Sequence, residues 1–80
     1  MEIQKGSVVI AKAGRDKGKA FAVTELLDSR TVLIADGKSR PIEHTKRKNV
    51  IHLQVTATVI DCITTNRQLR NTLREFSKEE

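Results

Sequence analysis

Two short apolar runs separated by a charged loop constrain the fold of this chain more than any other feature of its sequence. Residues 7–11 are SVVIA and follow Gly6, and residues 20–24 are AFAVT. Short runs rich in β-branched residues and bounded by glycine are typical of β-strands. We therefore predict that the two runs form neighbouring strands of a hairpin.

The loop of residues 12–19 has a composition that a hairpin does not need in order to fold. It contains four cations, one acid and two hinge glycines: Lys12, Arg15, Lys17, Lys19, Asp16, Gly14 and Gly18. Such cations suit a phosphate backbone, and the glycines allow main-chain amides to point outward beside them. Arg15 can bind a phosphate or a guanine edge through two N–H groups, while the lysines act as point charges. The alternative is a solvated hairpin tip in which Asp16 merely stabilises the turn.

The first half of the chain also resembles a known family. A glycine, a valine-rich strand, the stretch GRDKGK (14–19) and a second strand resemble the KOW motif, the SH3-like half-barrel hairpin of many ribosomal and transcription-associated proteins. The likeness continues through VLIADGK (32–38), KRK (46–48) and VIHLQ (50–54). This longer pattern resembles the family of large-subunit ribosomal protein fourteen of the eukaryotic and archaeal type, with its small bacterial relatives. Gly18 lies where the motif has its characteristic glycine, which implies a positive φ or a close backbone approach.

Three further strands are predicted at residues 31–35, 38–44 and 50–54, with turns at 25–30 and 36–37 and a basic loop at 45–49. Gly37 supplies the positive φ that a tight turn requires. Pro41 has no backbone N–H to donate to a neighbouring strand, which indicates that the strand 38–44 lies at an edge or contains an irregularity. Five short strands in about fifty residues favour a small barrel. The predicted fold is therefore mainly β with a small barrel over residues 1–54, and the KOW resemblance implies that this barrel is SH3-like.

A second basic segment covers residues 38–48, where five cations stand against one acid. The cations are Lys38, Arg40, Lys46, Arg47 and Lys48. With the first loop, this segment accounts for more than the whole net charge of +5. If the last two strands were paired, their connection would form one compact patch for a second phosphate contact, and His44 is a candidate member of it. The alternative is a charged edge that discourages strand addition.

Residues 55–80 are predicted to form a helical extension packed on the barrel. Thr65 and Gln68 have the spacing of a capping box. Leu69, Leu73 and Phe76 share one helical face, which we expect to pack on the barrel. A second face carries Arg67, Arg70 and Arg74, which we expect to lie in solvent. Alternation in residues 55–63 permits a strand and Thr56 permits a helix cap; the family resemblance favours a short helix.

Several classes of function are disfavoured by composition. Phe21 and Phe76 are the only aromatic residues besides two histidines, so neither a base-stacking platform nor an aromatic cage is expected. The loop GRDKGKA has three residues between its glycines and Ala20 after the lysine, whereas a nucleotide-binding P-loop needs four residues and Ser or Thr. His44 and His52 have no Cys or acidic residues at the spacing that a metal site requires, so metal binding is not expected. No base is positioned in the sequence to activate the Cys62 thiol, so we expect Cys62 to be a small buried residue and not a nucleophile.

These features together predict a protein that binds structured RNA and is not an enzyme. Recognition should run through phosphates and RNA shape, because stacking groups are lacking. The family resemblance implies ribosomal RNA of the large subunit as the partner, and a ribosomal or ribosome-associated role. We expect a cytoplasmic monomer without a cofactor or a membrane partner. The alternative is a protein-interaction module in which the barrel or the helix docks on a transcription or translation factor.

Overall fold

The computed structural model describes residues 3–60 and 65–76, in which five antiparallel strands form one open sheet and a helix follows them. The strands are β1 (Ser7–Ala11), β2 (Ala20–Leu26), β3 (Thr31–Ala35), β4 (Lys46–Asn49) and β5 (Leu53–Val59), and the helix is α1 (Asn66–Leu73). Two short 3-10 helices, Ile42–His44 and Val50–His52, flank β4. The strand order is β4-β3-β2-β1-β5. In the described ranges, no helix has the length and apolar character needed to cross a membrane.

The first three strands follow the sequence predictions closely. β1 and β3 have the predicted bounds, and β2 runs two residues beyond the predicted end. Glu25 and Leu26 remain in the sheet because they pair with Leu33 and Val32 of β3, after a register shift that follows Val23. The turn therefore begins at Leu27, and the Asp28 carboxylate closes it by accepting hydrogen bonds from the amides of Arg30 and Thr31.

The predicted strand at residues 38–44 and the predicted loop at 45–49 are both wrong. Asp36 Oδ1 accepts hydrogen bonds from the Lys38 and Arg40 amides, each at 2.8 Å, and the Asp36 amide donates to the Arg40 carbonyl. These bonds close residues 36–40 into a loop instead of a strand. After Pro41 and a 3-10 turn, the basic segment itself becomes the edge strand β4, which pairs with β3.

The last strand also begins later and ends later than predicted. Val50–His52 is a 3-10 helix, capped by the Asn49 side chain, which accepts a hydrogen bond from the Ile51 amide. β5 then pairs with β1 as far as Val59. The short helix favoured for residues 55–63 is therefore wrong over 55–59, and residues 61–63 lie outside the described residues. The strand also continues across residue 54, where the helical extension was expected to start.

The sheet is strongly curved, because only three residues connect its two edge strands. A 3-10 helix rises about 2 Å per residue, so Val50–His52 cannot span a flat five-stranded sheet. The Val50 amide donates to the Arg30 carbonyl, and the Lys12 amide donates to the His52 carbonyl. The short segment thus links the β2–β3 turn to the end of β1. Pairing between β4 and β5 is not observed in the part of the chain described, so the sheet is open.

Alternation along the strands separates two hydrophobic clusters, one on each face of the sheet. One face buries Val9, Phe21, Val23 and Ile34 with other aliphatic residues. The other face carries small residues, and α1 packs on it through Leu69 and Leu73. Burying these two leucines stabilises the docked helix by roughly 3–6 kcal/mol.

The C-terminal helix has the predicted cap and the predicted buried face. Thr65 Oγ1 accepts a hydrogen bond from the Gln68 amide at 3.1 Å, which satisfies one of the unpaired donors of the first turn. Leu69 and Leu73 are 2% and 4% exposed, and Phe76 packs partly buried against the same cluster. The prediction that this face packs on the β structure is confirmed.

Candidate nucleic-acid interface

Most of the predicted cations lie at one end of the sheet. Successive strands from β1 to β4 run in opposite directions, so the β1–β2 loop (12–19) and the β3–β4 connection (36–45) emerge at the same end. The cations in these two segments are Lys12, Arg15, Lys17, Lys19, Lys38 and Arg40, and Lys46 follows at the start of β4. Folding therefore brings together two basic segments that are separate in the sequence.

The backbone of the β1–β2 loop is folded inward. The Gly18 amide donates to the Ala11 carbonyl at 2.8 Å, and the Lys17 and Lys19 amides donate to carbonyls within the loop. The expectation that main-chain amides point outward is therefore wrong for these three residues, because the loop itself occupies them. Gly18 has φ of +90°, which confirms the predicted positive φ. An anion at Lys17 or Lys19 would therefore be bound by the side chain and not by the amide.

The side chains of the loop are arranged for such contacts. Lys12, Arg15, Lys17 and Lys19 are all exposed, whereas Asp16 is partly buried. The Asp16 carboxylate forms ion pairs with Lys19 Nζ at 3.7 Å and with Lys46 Nζ at 3.5 Å. Asp16 therefore holds the β1–β2 loop against β4, beyond the turn-stabilising role considered from sequence.

The KRK segment does not form one compact patch. β4 pairs with β3 so that Lys46 is opposite Ile34, Arg47 is opposite Leu33 and Lys48 is opposite Val32. Opposed residues share a face and neighbours along a strand alternate, so Arg47 points away from the two lysines. Arg47 is opposite the middle residue of β3, so it is set back from the end that carries the two basic loops. Hydrogen bonding from the Arg30 amide is the main cause that lowers the pKa of Asp28, and the Arg47 charge contributes to the same shift.

A groove lies beside the basic loop, between the β3–β4 loop and α1. It has a volume of about 650 Å³ and is open to solvent. Its charged lining residues are Lys19, Lys38, Arg70, Arg74 and Asp36. Asp36 Oδ1 already accepts two amide hydrogen bonds from its own loop. Four cations and one carboxylate thus line the groove, so its lining has an excess of three positive charges and favours anions.

The groove exists because α1 is tied to the β3–β4 connection. Arg70 Nη1 donates to the Gly37 carbonyl at 3.1 Å. Asn66 Oδ1 accepts from the Ile42 amide at 2.7 Å, and its Nδ2 donates to Glu43 Oε1 at 2.9 Å. This Asn66 hydrogen bond is the main cause that lowers the pKa of Glu43.

Gly37 is the residue that permits this close approach. Its φ is +78°, and a Cβ atom there would collide with the Asn66 carbonyl oxygen and crowd the Arg70 side chain. Gly37 was predicted to supply only a turn. In the folded protein it also provides the surface on which the first turn of α1 rests.

Arg70 and Arg74 were not predicted to belong to the basic surface. They were expected to form an incidental solvated face together with Arg67. All three are exposed, but only Arg70 and Arg74 line the groove. On a helical wheel Arg70 lies about 90° from the buried stripe, Arg74 about 130° and Arg67 about 150°. The wheel therefore separates Arg70 from Arg67 but hardly separates Arg74 from it, and only the folded protein shows which arginines meet the β3–β4 loop.

The residues considered as metal ligands or as a nucleophile can be located as follows in the described part of the chain. In residues 3–60 and 65–76, no three His, Cys, Asp or Glu side chains are grouped so that they could hold a metal ion. His44 and His52 are exposed, and Cys62 lies outside the described residues.

Comparison with known protein-family models and with curated proteins finds no match for this chain.

Proposed function

We propose that this protein binds structured RNA through the basic end of its sheet. The observation that carries this proposal is the convergence of the β1–β2 loop and the β3–β4 connection at one end, with exposed cations from both. Phosphate contacts dominate the affinity of proteins for nucleic acids, and lysine and arginine supply them. The proposed binding residues are those of the two loops, with Arg15 and Lys17 at the exposed tip of the first.

The proposal specifies double-stranded or folded RNA instead of unstacked single strands. Phe21 is 1% exposed and Phe76 is packed against α1's own cluster, so neither ring is free to stack on bases. Base stacking is the main source of affinity for single strands. A surface of lysine and arginine without aromatic rings suits the shape and the phosphates of a folded RNA.

The finer family assignment belongs to the same proposal. We infer a KOW-type, SH3-like barrel from the motif GRDKGK, from the positive φ of Gly18 and from the three-residue 3-10 connection between the edge strands. The resemblance to large-subunit ribosomal protein fourteen suggests ribosomal RNA as the partner and a non-enzymatic role in translation.

The proposal is tested by titrating the protein with large-subunit ribosomal RNA at several salt concentrations. Each neutralised phosphate releases counterions, so the logarithm of the association constant falls linearly with the logarithm of salt. We expect about four to six contacts and a slope on the order of −3 to −5. A single-stranded RNA of matched length should bind more weakly. Absence of binding at low salt would contradict the proposal.

A second function, docking on another protein, is favoured by an apolar surface at the opposite end. Leu26 and Leu27 are 45% and 46% exposed. A cavity of about 620 Å³ opens there, lined by Ile3, Leu26, Val32, Val50, Leu53 and Val55 among others. We do not propose docking through the Leu69, Leu73 and Phe76 face of α1, because the two leucines are buried against the sheet and Phe76 is partly buried there.

The two functions can be separated by one variant. Leu27→Glu should leave binding to ribosomal RNA unchanged, because it lies at the other end of the sheet. If it also abolished co-sedimentation with ribosomes, a protein contact would anchor the chain there. If it changed neither property, the docking function would lose its support.

A further inference from the structure

The groove beside α1 joins two parts of the molecule that sequence patterns treat separately. Lys19 belongs to the β1–β2 loop, Lys38 to the β3–β4 loop, and Arg74 to the end of α1, yet all three line the same space. The groove is therefore continuous with the basic loops through Lys19. Its volume of about 650 Å³ is in the range of pockets that hold small ligands.

We propose that this groove binds a backbone phosphate of the RNA, with Arg74 and Lys38 as its principal ligands. The inference rests on the proposed function and extends it, because it makes α1 part of the RNA-binding surface. It assigns a role to two residues of different elements that meet only in the folded protein.

Arg74 is the helix residue best suited to this role. Its side chain is exposed, and among the described residues it forms one hydrogen bond, from Nη2 to Asn71 Oδ1 at the long distance of 3.4 Å. Its guanidinium therefore has donors to offer a phosphate in a bidentate geometry. Arg70 is partly committed, since its Nη1 donates to the Gly37 carbonyl. Arg70 serves mainly to hold the helix against the loop.

Lys38 contributes from the opposite wall. Its side chain is exposed, while its amide is anchored by Asp36 Oδ1 at 2.8 Å. The anchored backbone fixes where the lysine emerges, so the charge is presented at a defined edge of the groove. The Asp36 carboxylate offsets one of the four positive charges that line the groove, which leaves a net positive lining.

The test compares two variants that differ only in position on the helix. Arg74→Gln removes a cation that lines the groove, and Arg67→Gln removes an exposed cation that does not. Both lower the net charge by one and keep a good helix-forming side chain. Binding to large-subunit ribosomal RNA is measured from 50 to 300 mM salt, and thermal melting confirms that each variant is folded.

We expect Arg74→Gln to weaken binding about threefold to tenfold at the lower salt concentrations and to reduce the salt slope by about 0.7–0.9. Arg67→Gln should stay within about twofold of the parent protein, because long-range charge alone changes affinity little in salt. Lys38→Gln should behave like Arg74→Gln, and it keeps the test valid if α1 frays in the helix variant. Arg74→Lys should recover most of the slope, because the charge is retained.

The experiment distinguishes failure of the proposed function from failure of the groove assignment. If the parent protein does not bind the RNA, both the proposed function and this inference are overturned. If the parent binds and Arg15→Ala with Lys17→Ala weakens it, while Arg74→Gln and Lys38→Gln match Arg67→Gln, the RNA contacts the loop alone. That result would overturn the groove assignment and remove Lys38 from the proposed binding residues, while RNA binding through the β1–β2 loop would remain.

Discussion

The carboxylate of Asp16 lies 3.5 Å from Lys46 Nζ, across the gap between the β1–β2 loop and the edge strand β4. The same carboxylate lies 3.7 Å from Lys19 Nζ. One acid thus connects the two basic segments and partly neutralises a cation from each. A phosphate group approaching this surface would compete with Asp16 for both lysines.

Removing this competitor should strengthen RNA binding. Asp16→Asn frees Lys19 and Lys46 and deletes a negative charge, so the salt slope should steepen by about one contact. Stability should fall by less than about 1 kcal/mol, because the ion pairs are partly exposed. Salt titrations and urea denaturation measure the two effects. Weaker binding by a folded Asp16→Asn protein would show that Asp16 positions the lysines instead of competing for them.

The tip of the β1–β2 loop should control affinity without affecting folding. Arg15→Ala with Lys17→Ala is expected to reduce binding to large-subunit ribosomal RNA about tenfold or more, since two phosphate contacts are lost. Exposed loop side chains contribute little to stability, so the melting temperature should stay nearly constant. The matched control, Lys5→Ala with Arg30→Ala, removes two exposed cations at the other end of the sheet. Equal losses in both double variants would show that only net charge matters.

Arg47 should differ from Arg15 in its effect, although the sequence placed both in basic segments. Arg47 is opposite the middle residue of β3, set back from the strand ends that carry the two basic loops, and its charge contributes to the lowered pKa of Asp28. Arg47→Ala should therefore leave the salt slope for RNA binding within error of the parent value. A slope flattened as much as in Arg15→Ala would extend the RNA surface along β4.

Two glycines with similar backbone conformations should differ in their cost of substitution. Gly18 and Gly37 have φ of +90° and +78°, but only Gly37 lies against another element. Gly18→Ala should cost about 1–2 kcal/mol of unfolding free energy from backbone strain alone. Gly37→Ala should cost at least about 1 kcal/mol more, since its Cβ displaces α1. Urea denaturation of both variants checks the order, and equal losses would contradict the close packing at Gly37.

Stability should depend on pH through Glu43 and Asn66. The Asn66 hydrogen bond lowers the pKa of Glu43 in the folded protein. A lowered pKa means that the stabilisation is present above the unfolded-state pKa and is lost as pH falls through the folded-state value. The loss should therefore occur below about pH 5, in the carboxyl range.

Asn66→Ala provides the matched comparison for this pH effect. It should lower the unfolding free energy at pH 7 by about 1–3 kcal/mol, because the Ile42 amide loses its acceptor. It should also reduce the pH dependence of stability between about pH 5 and pH 3. Asp28→Asn, at the other end of the sheet, should leave the Glu43 contribution intact. An unchanged pH profile in Asn66→Ala would assign the dependence to other carboxyl groups.

Local patterns were sufficient where an element depends on its own residues. β1 and β3 have the predicted bounds because β-branched runs bounded by turn residues favour strands whatever their partners are. The cap at Thr65 and the buried stripe of Leu69 and Leu73 were predicted for the same reason, since capping and helical periodicity act within one or two turns. The clustering of cations in the β1–β2 loop was likewise apparent from the sequence alone.

Tertiary structure decided the elements whose local preferences are weak or misleading. Lys46–Asn49 has low strand propensity, yet it is a strand because β3 offers an unpaired edge. Residues 55–59 are a strand because they pair with β1. The groove depends on α1 meeting Gly37, 33 residues away from Arg70. The sequence by itself thus determined the local strands, the helix and the basic character of the loops. Only the packed fold decided which charges lie together, because that depends on contacts between residues far apart in the chain.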